Sequence, residues 1–263
     1  MRSYLAVLSA RFRTLLQYRA AAAAGFATQL FWGLIRVMIM GAFYRSTTAV
    51  QPMTYPQVVT YVWLGQATLA LLPWNVDREV AGLIRSGNVA YEMLRPVDLY
   101  SYWYMRAIAW RTAPAVLRAL PMIVVAMLFL GMQPPPSVAS GAAWAVATVA
   151  AVLLSAAITN LTSITMFWTI SGEGIGMLLP AAATIFSGLI IPLPLFPDWA
   201  QPIIRFLPFR GLMDVPFRLY MGHIPPGQLF GALAHQLGWT AVLVLAGRWL
   251  LARGTRRLVV QGG

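Results

Sequence analysis

The sequence predicts an all-α membrane protein in which six helices cross the bilayer. Of its 263 residues, 59% are hydrophobic and only 10% are charged, whereas a soluble domain carries roughly 25% charged residues. A helix needs about 20 mainly apolar residues to cross the hydrocarbon core. Six segments approach that length, at 20–44, 57–74, 112–132, 141–168, 174–196 and 228–251.

The composition also argues against several kinds of chemistry in this chain. The chain has no cysteine, two histidines and seven carboxylates, so we expect neither a metal site nor catalytic residues in it. No GxxxxGK[ST] phosphate loop occurs, and any nucleotide-driven work therefore needs a separate subunit. The net charge of +12 is the difference between 19 arginines and seven carboxylates. We interpret this positive charge as a signal that orients the protein in the membrane, and we expect no nucleic-acid partner.

The arginines are distributed unevenly between the two sides of the predicted bundle. Thirteen lie in residues 1–19, 75–111 and 248–257, and four lie in the opposite links. Positive charge accumulates on the cytoplasmic side of membrane proteins. We therefore expect both termini in the cytoplasm, in a single transmembrane domain that covers residues 1–263.

Residues 1–19 have an apolar and a basic face at helical spacing, which predicts a helix lying on the membrane surface. The alternative is a basic flank that only fixes topology. At the opposite end, the proline-rich residues 197–227 predict short re-entrant or interfacial helices before span six. Arg210, Asp214 and Arg218 are spaced i, i+4, i+8, so one helical face could carry them as a charge ladder.

Residues 75–111, here called the long loop, are an unusual 37-residue link. Val80 to Ile84 form a short apolar stripe that Gly87 breaks, and a second stretch ends at Pro96, which cannot extend a helix. Asp98 is a plausible N-cap for a helix that runs into span three. This helix–turn–helix suits a partner surface; the alternative is a hairpin packed on the chain's own span ends.

The other candidate functional residues lie in or beside the spans, where they could form part of a gate or of the cargo path. Arg36 lies nine residues before Arg45, deep in span one. It could form a structural ion pair, or it could act as a cargo or gating residue. Glu173 and Gly176 begin span five and Pro180 kinks it. Glu173 could pair with an arginine or touch a partner, or it could be a solvated charge in a turn.

Two stretches resemble the ABC-2 family of transporter permeases, in particular a bacterial six-span group often described as a domain of unknown function. They are LIRSGNVAYEMLRPVD at 83–98 and SGLIIPLPLFPDW at 187–199. The resemblance implies that two permease chains pair, as identical copies or paralogues, and that each docks one cytosolic ABC ATPase. The family's coupling helix would then fall in the segment that contains Gly87, Tyr91, Glu92, Leu94, Arg95 and Pro96.

These inferences together predict the permease subunit of an ATP-driven exporter in the bacterial cytoplasmic membrane. ATP and Mg would be bound by the partner ATPase, with no cofactor in this chain. Because the spans carry few charges, the expected cargo is apolar or amphipathic, such as a lipid, a natural product or a drug-like molecule. The alternative is a gradient-driven secondary transporter, which needs membrane-embedded carboxylates, and only Glu173 is a candidate.

Overall fold

The structure is a computed structural model that describes residues 2–17, 19–168 and 173–257. Within these ranges the regular elements are helices and no strand occurs. The α-helices, in chain order, are α1 Arg2–Leu16, α2 Arg19–Ser46, α3 Tyr55–Ala67, α4 Arg78–Arg85, α5 Val89–Met93, α6 Leu99–Phe129, α7 Val138–Thr165, α8 Glu173–Phe186, α9 Gln201–Phe206, α10 Asp214–Tyr220 and α11 Leu229–Gly254.

Four of these helices are long and apolar enough to cross a membrane: α2, α6, α7 and α11. They correspond to the predicted spans one, three, four and six. The helices in the other two predicted spans are shorter, since α3 has 13 residues and α8 has 14. At 1.5 Å per residue each rises only about 20 Å, less than the ~30 Å hydrocarbon core.

Helix α6 begins where the sequence predicts. The side chain of Asp98 accepts a hydrogen bond from the backbone N–H of Ser101 and so caps the helix. The helix has 31 residues and therefore includes the last part of the long loop, residues 99–111. Pro114 and Pro121 lie inside it. Because proline cannot donate the i to i−4 hydrogen bond, these two positions weaken the helix locally.

The main apolar core surrounds α3. Every residue from Val58 to Ala67 is buried, and Trp63 donates from Nε1 to the carbonyl of Leu130 at 3.1 Å. Helix α2 packs on one side of α3 and α6 on another, while α7 packs along α11. The short α3 is thus enclosed by longer helices.

A second apolar cluster defines what we call the loop end of the bundle. It brings α4 and α5 of the long loop against α6 and the C-terminal ends of α7 and α11. Helix α1 packs along α6. Residues 2–16 are thus helical, and their place at the membrane surface stays a prediction. The opposite end carries α9 and α10 with 3₁₀ turns near them, so residues 197–227 hold short helices. Their re-entrant or interfacial placement stays a prediction.

Candidate functional site

The two helices of the long loop form a compact hairpin. Asp77 caps α4 by accepting from the N–H groups of Glu79 at 3.0 Å and Val80 at 3.3 Å. Gly87 adopts φ +73°, which side chains disfavour, and this turn separates α4 from α5. The predicted helix, break and second helix are therefore all present.

Helix α5 has one exposed face and one buried face. Tyr91 is 72% exposed and Leu94 at its C-cap is 80% exposed, while Val89 is fully buried in the loop-end cluster. Arg95 and Pro96 are exposed beside them. Exposed apolar side chains on so short a helix are typical of a surface that a partner covers.

Glu92 differs from its neighbours in the predicted contact set. Its side chain is 8% exposed and points inward, where it accepts a hydrogen bond from Trp103 Nε1 at 2.7 Å. Arg95 donates to the Tyr102 hydroxyl at 3.0 Å. Both bonds hold α5 on the first turns of α6. Glu92 therefore positions the exposed residues and does not belong to their surface.

An ion-pair network that the sequence analysis did not identify fixes α4. Arg106 of α6 donates to both carboxylate oxygens of Glu79, at 2.6 and 3.2 Å, and approaches Asp77 at 3.4 Å. Arg11 of α1 reaches the same Glu79 at 2.7 Å. The hydrogen bond from Arg106 lowers the pKa of the Glu79 carboxyl below its ordinary value. Glu79 therefore stays ionised and ties α1, α4 and α6 together at neutral pH.

Arg111 anchors the chain where it enters the long loop. It is buried and donates to the carbonyl of Asn75 at 3.3 Å and to the Thr159 hydroxyl at 2.9 Å, and it also bonds the carbonyl of Leu72. Trp103, Arg106 and Arg111 thus hold α5, α4 and the loop entrance at successive levels of one helix, α6.

The loop end is closed by two further polar contacts to Asp98. Its backbone N–H donates to the Tyr4 hydroxyl of α1 at 2.8 Å. Its carboxylate accepts from Arg248 of α11 at 3.0 Å. Residues from α1, α6 and α11 therefore meet at one capping residue.

A second polar region lies just after the C-terminal end of α8. The helix ends at Phe186, and Gly188 adopts φ +92°. The carbonyls that this break releases find partners on other helices. Leu189 O accepts from Arg36 Nη1 at 2.8 Å, and Ser187 O accepts from the N–H of Asp214 at 3.1 Å.

The contacts of Arg36 bear on one of its two interpretations, the structural ion pair. Among the described residues no carboxylate lies within ion-pair distance of its guanidinium, so the predicted structural ion pair is not formed there. Pro180 is buried inside α8, and Gly176 lies on the same helix near Val76. Glu173 begins α8, but its side chain lies outside the described residues. Arg36 therefore contacts the segment that follows α8, at Leu189.

The predicted charge ladder is wrong as a single helical face. Asp214 and Arg218 lie on α10 with 3.9 Å between their charged atoms, but Arg210 belongs to a separate 3₁₀ turn, Pro208–Gly211. The turn ends at Gly211 and the N-cap Met213 is not helical, so α10 begins only at Asp214 and does not include Arg210. Asp214 is instead buried, and it accepts from the Tyr61 hydroxyl of α3 at 3.1 Å.

A comparison with protein families identifies the class. The profile described as "ABC-2 family transporter protein" matches residues 30–262, which is most of the chain. The chain therefore belongs to the ABC-2 transporter family, as the two sequence motifs suggested. Members are membrane components of ABC transport systems that work with an ABC ATPase and are not themselves catalytic. Searches of curated proteins and of solved structures found no match.

Proposed function

We propose that this chain is the permease subunit of an ATP-driven exporter for an apolar or amphipathic cargo, and that its long loop docks the ATPase. The observation that carries the proposal is the outward face of α5. Tyr91 and Leu94 are exposed there on a helix that Glu92 fixes to α6. Because the loop is already held on α6, a partner that binds this face can move α6 without first ordering the loop.

The mechanism follows from how the loop is attached. Closure of two ATPase subunits around ATP and Mg would displace α4 and α5, and Trp103 and Arg106 would pass this displacement to α6. Pro114 and Pro121 lie further along α6 and allow it to bend between the loop end and the membrane interior. Binding would thereby shift the bundle between inward-facing and outward-facing states.

The proposal includes six membrane crossings with both termini in the cytoplasm. Helix α3 is continued by the 3₁₀ turn Leu69–Leu71, and α8 by the turn Leu193–Leu195 and the short helices that follow. These additions support crossings two and five. Two such permeases, identical or related, would pair in the bacterial cytoplasmic membrane, and cargo would pass between them.

A co-purification experiment tests the docking surface. We expect that Tyr91→Ala combined with Leu94→Ala abolishes co-purification with an ABC ATPase from the same genome that binds the wild-type chain. The two side chains are exposed, so their loss removes apolar contact area without opening the permease core. Melting temperature should stay at the wild-type value.

The matched control is Trp199→Ala, which removes an equally exposed aromatic side chain at the opposite end of the bundle. It should leave ATPase binding unchanged. The docking assignment fails if the double variant keeps both binding and stimulated ATP hydrolysis. Uptake driven by an ion gradient without any ATPase would instead support the secondary-transporter alternative.

A further inference from the structure

We propose that the contact zone of α2, α3 and the end of α8 is the site that receives the anionic headgroup of an amphipathic cargo, with Arg36 as the residue that binds it. This inference rests on the proposed transport function and adds the chemical class of the substrate. The observation that supports it is Arg36, a cation inside α2 for which the described residues supply no anionic partner.

Arg36 lies far from either end of its helix. It is ten residues before Ser46 and seventeen after Arg19 on α2, or about 15 Å and 25 Å along the axis. A charged side chain at that depth is costly unless it faces the protein interior or a water-filled path. Arg36 is half-buried, so it lies at the edge of the packed bundle.

The protein supplies only neutral acceptors for this guanidinium, and both lie on Nη1. They are the carbonyl of Leu189 at 2.8 Å and, in the amide orientation that satisfies both neighbours, Gln66 Oε1 at 3.3 Å. A guanidinium has five N–H donors. Within the described chain, its Nε and Nη2 atoms have no acceptor. Unsatisfied donors in a bilayer are strongly unfavourable, which points to an external anionic acceptor.

A second unpartnered group lies on the same face of α2. Gln29 is seven residues before Arg36 and 2% exposed, and neither atom of its amide has a hydrogen-bond partner in the described structure. Gly33 between them allows α3 to approach, since an added Cβ would lie 2.3 Å from a Trp63 ring atom. The α2–α3 contact therefore carries two polar side chains, Arg36 and Gln29, with free hydrogen-bonding capacity.

Exposed apolar side chains flank this polar site. Trp32, Ile39 and Phe43 lie four, three and seven residues from Arg36, and all three are exposed, so they share its side of α2. Ile190 and Ile191 are exposed directly after Leu189. One cation beside an apolar strip matches a carboxylate or phosphate headgroup with a hydrocarbon tail.

Equilibrium binding to the purified permease tests the headgroup assignment. The probe is dodecyl phosphate, and dodecyltrimethylammonium is its cationic counterpart. We expect Arg36→Gln to weaken dodecyl phosphate binding about tenfold or more, because a charge-assisted hydrogen bond is lost. Gln keeps a neutral polar side chain at this position, and a melting temperature close to that of the wild type is expected and shows that folding is retained. Arg36→Lys should restore part of the affinity, and the control Arg45→Gln on the same helix should change nothing.

A second arm separates transported cargo from resident lipid. In proteoliposomes with the partner ATPase and Mg-ATP, dodecyl phosphate should stimulate ATP hydrolysis through the wild-type chain and not through Arg36→Gln. Equal binding by both chains overturns the inference. So does retention of phosphatidylglycerol through Arg36 without any effect of dodecyl phosphate on hydrolysis. Binding needs no ATPase, so a failure of ATPase docking is detected separately and bears only on the proposed function.

Discussion

At the scale of single residues, the long loop shows that a charged residue within a predicted docking segment need not touch the docked partner. Glu92 lies between the exposed residues Tyr91 and Leu94 in sequence, yet its carboxylate is buried against Trp103. Because successive side chains of an α-helix differ in direction by about 100°, Glu92 points inward although Tyr91 points outward. Its role is to fix the direction in which the exposed neighbours point.

The prediction for this residue concerns stability and coupling together. Glu92→Ala leaves the buried Trp103 N–H without an acceptor, which costs roughly 1–3 kcal/mol and should lower the melting temperature of the purified permease. Glu92→Gln keeps an acceptor oxygen, so it should melt close to wild type and still bind the ATPase. If Glu92→Ala instead melts like wild type but loses the ATPase, Glu92 is itself a contact residue.

At the scale of helices, α4 is held by ion pairs, whereas α5 is held by the hydrogen bonds of Glu92 with Trp103 and of Arg95 with Tyr102. Glu79 receives Arg106 from α6 and Arg11 from α1, so removal of its charge should release α4 from both. Since the pKa of Glu79 is lowered in the folded chain from an ordinary 4.5, its stabilising contribution is present above 4.5. The contribution is lost as the pH falls below that value through the lowered pKa.

The corresponding measurement compares melting temperatures of the wild type and Glu79→Gln across pH. We expect the wild type to melt higher at neutral pH and the difference to disappear in acid below 4.5. Asp198→Asn, an exposed acid at the opposite end, should give a small difference with no link to this network. A difference between wild type and Glu79→Gln that persists in strong acid would contradict the assigned role of the charge.

The same helices indicate how far the sequence alone leads. Local signals predicted α4, the Gly87 turn, the stop at Pro96 and the Asp98 cap, because each depends on neighbouring residues. The Arg106–Glu79 network joins residues 27 apart and Arg11–Glu79 joins residues 68 apart. No local pattern encodes such distances. The contact between Arg36 and Leu189, 153 residues apart, was missed for the same reason.

The lengths of predicted spans two and five were overestimated for a related reason. An apolar run of about 20 residues predicts one continuous membrane-spanning helix, but α3 ends at Ala67 and α8 ends at Phe186. At the end of α8, Gly188 turns the chain with φ +92°, and Arg36 bonds the carbonyl of Leu189 that follows. Hydropathy therefore located every apolar segment, while packing determined which of them are continuous helices.

At the scale of the whole molecule, the arrangement of arginines makes a prediction about orientation. The loop end gathers α1, the long loop and the end of α11, and the same three regions hold thirteen of the 19 arginines. Positively charged segments are retained in the cytoplasm during insertion. The loop end should therefore face the cytoplasm, where a cytosolic ATPase can reach Tyr91 and Leu94.

Site-specific labelling can test this directly, because the chain contains no cysteine. Leu94→Cys places a thiol on the loop end and Val50→Cys places one in the link after α2, both at highly exposed positions. A membrane-impermeant maleimide added to intact cells should modify Val50→Cys and spare Leu94→Cys, and inside-out vesicles should reverse the pattern. Labelling of Leu94→Cys in intact cells would place the α5 surface outside, where no cytosolic ATPase could dock, and the coupling mechanism would then be wrong.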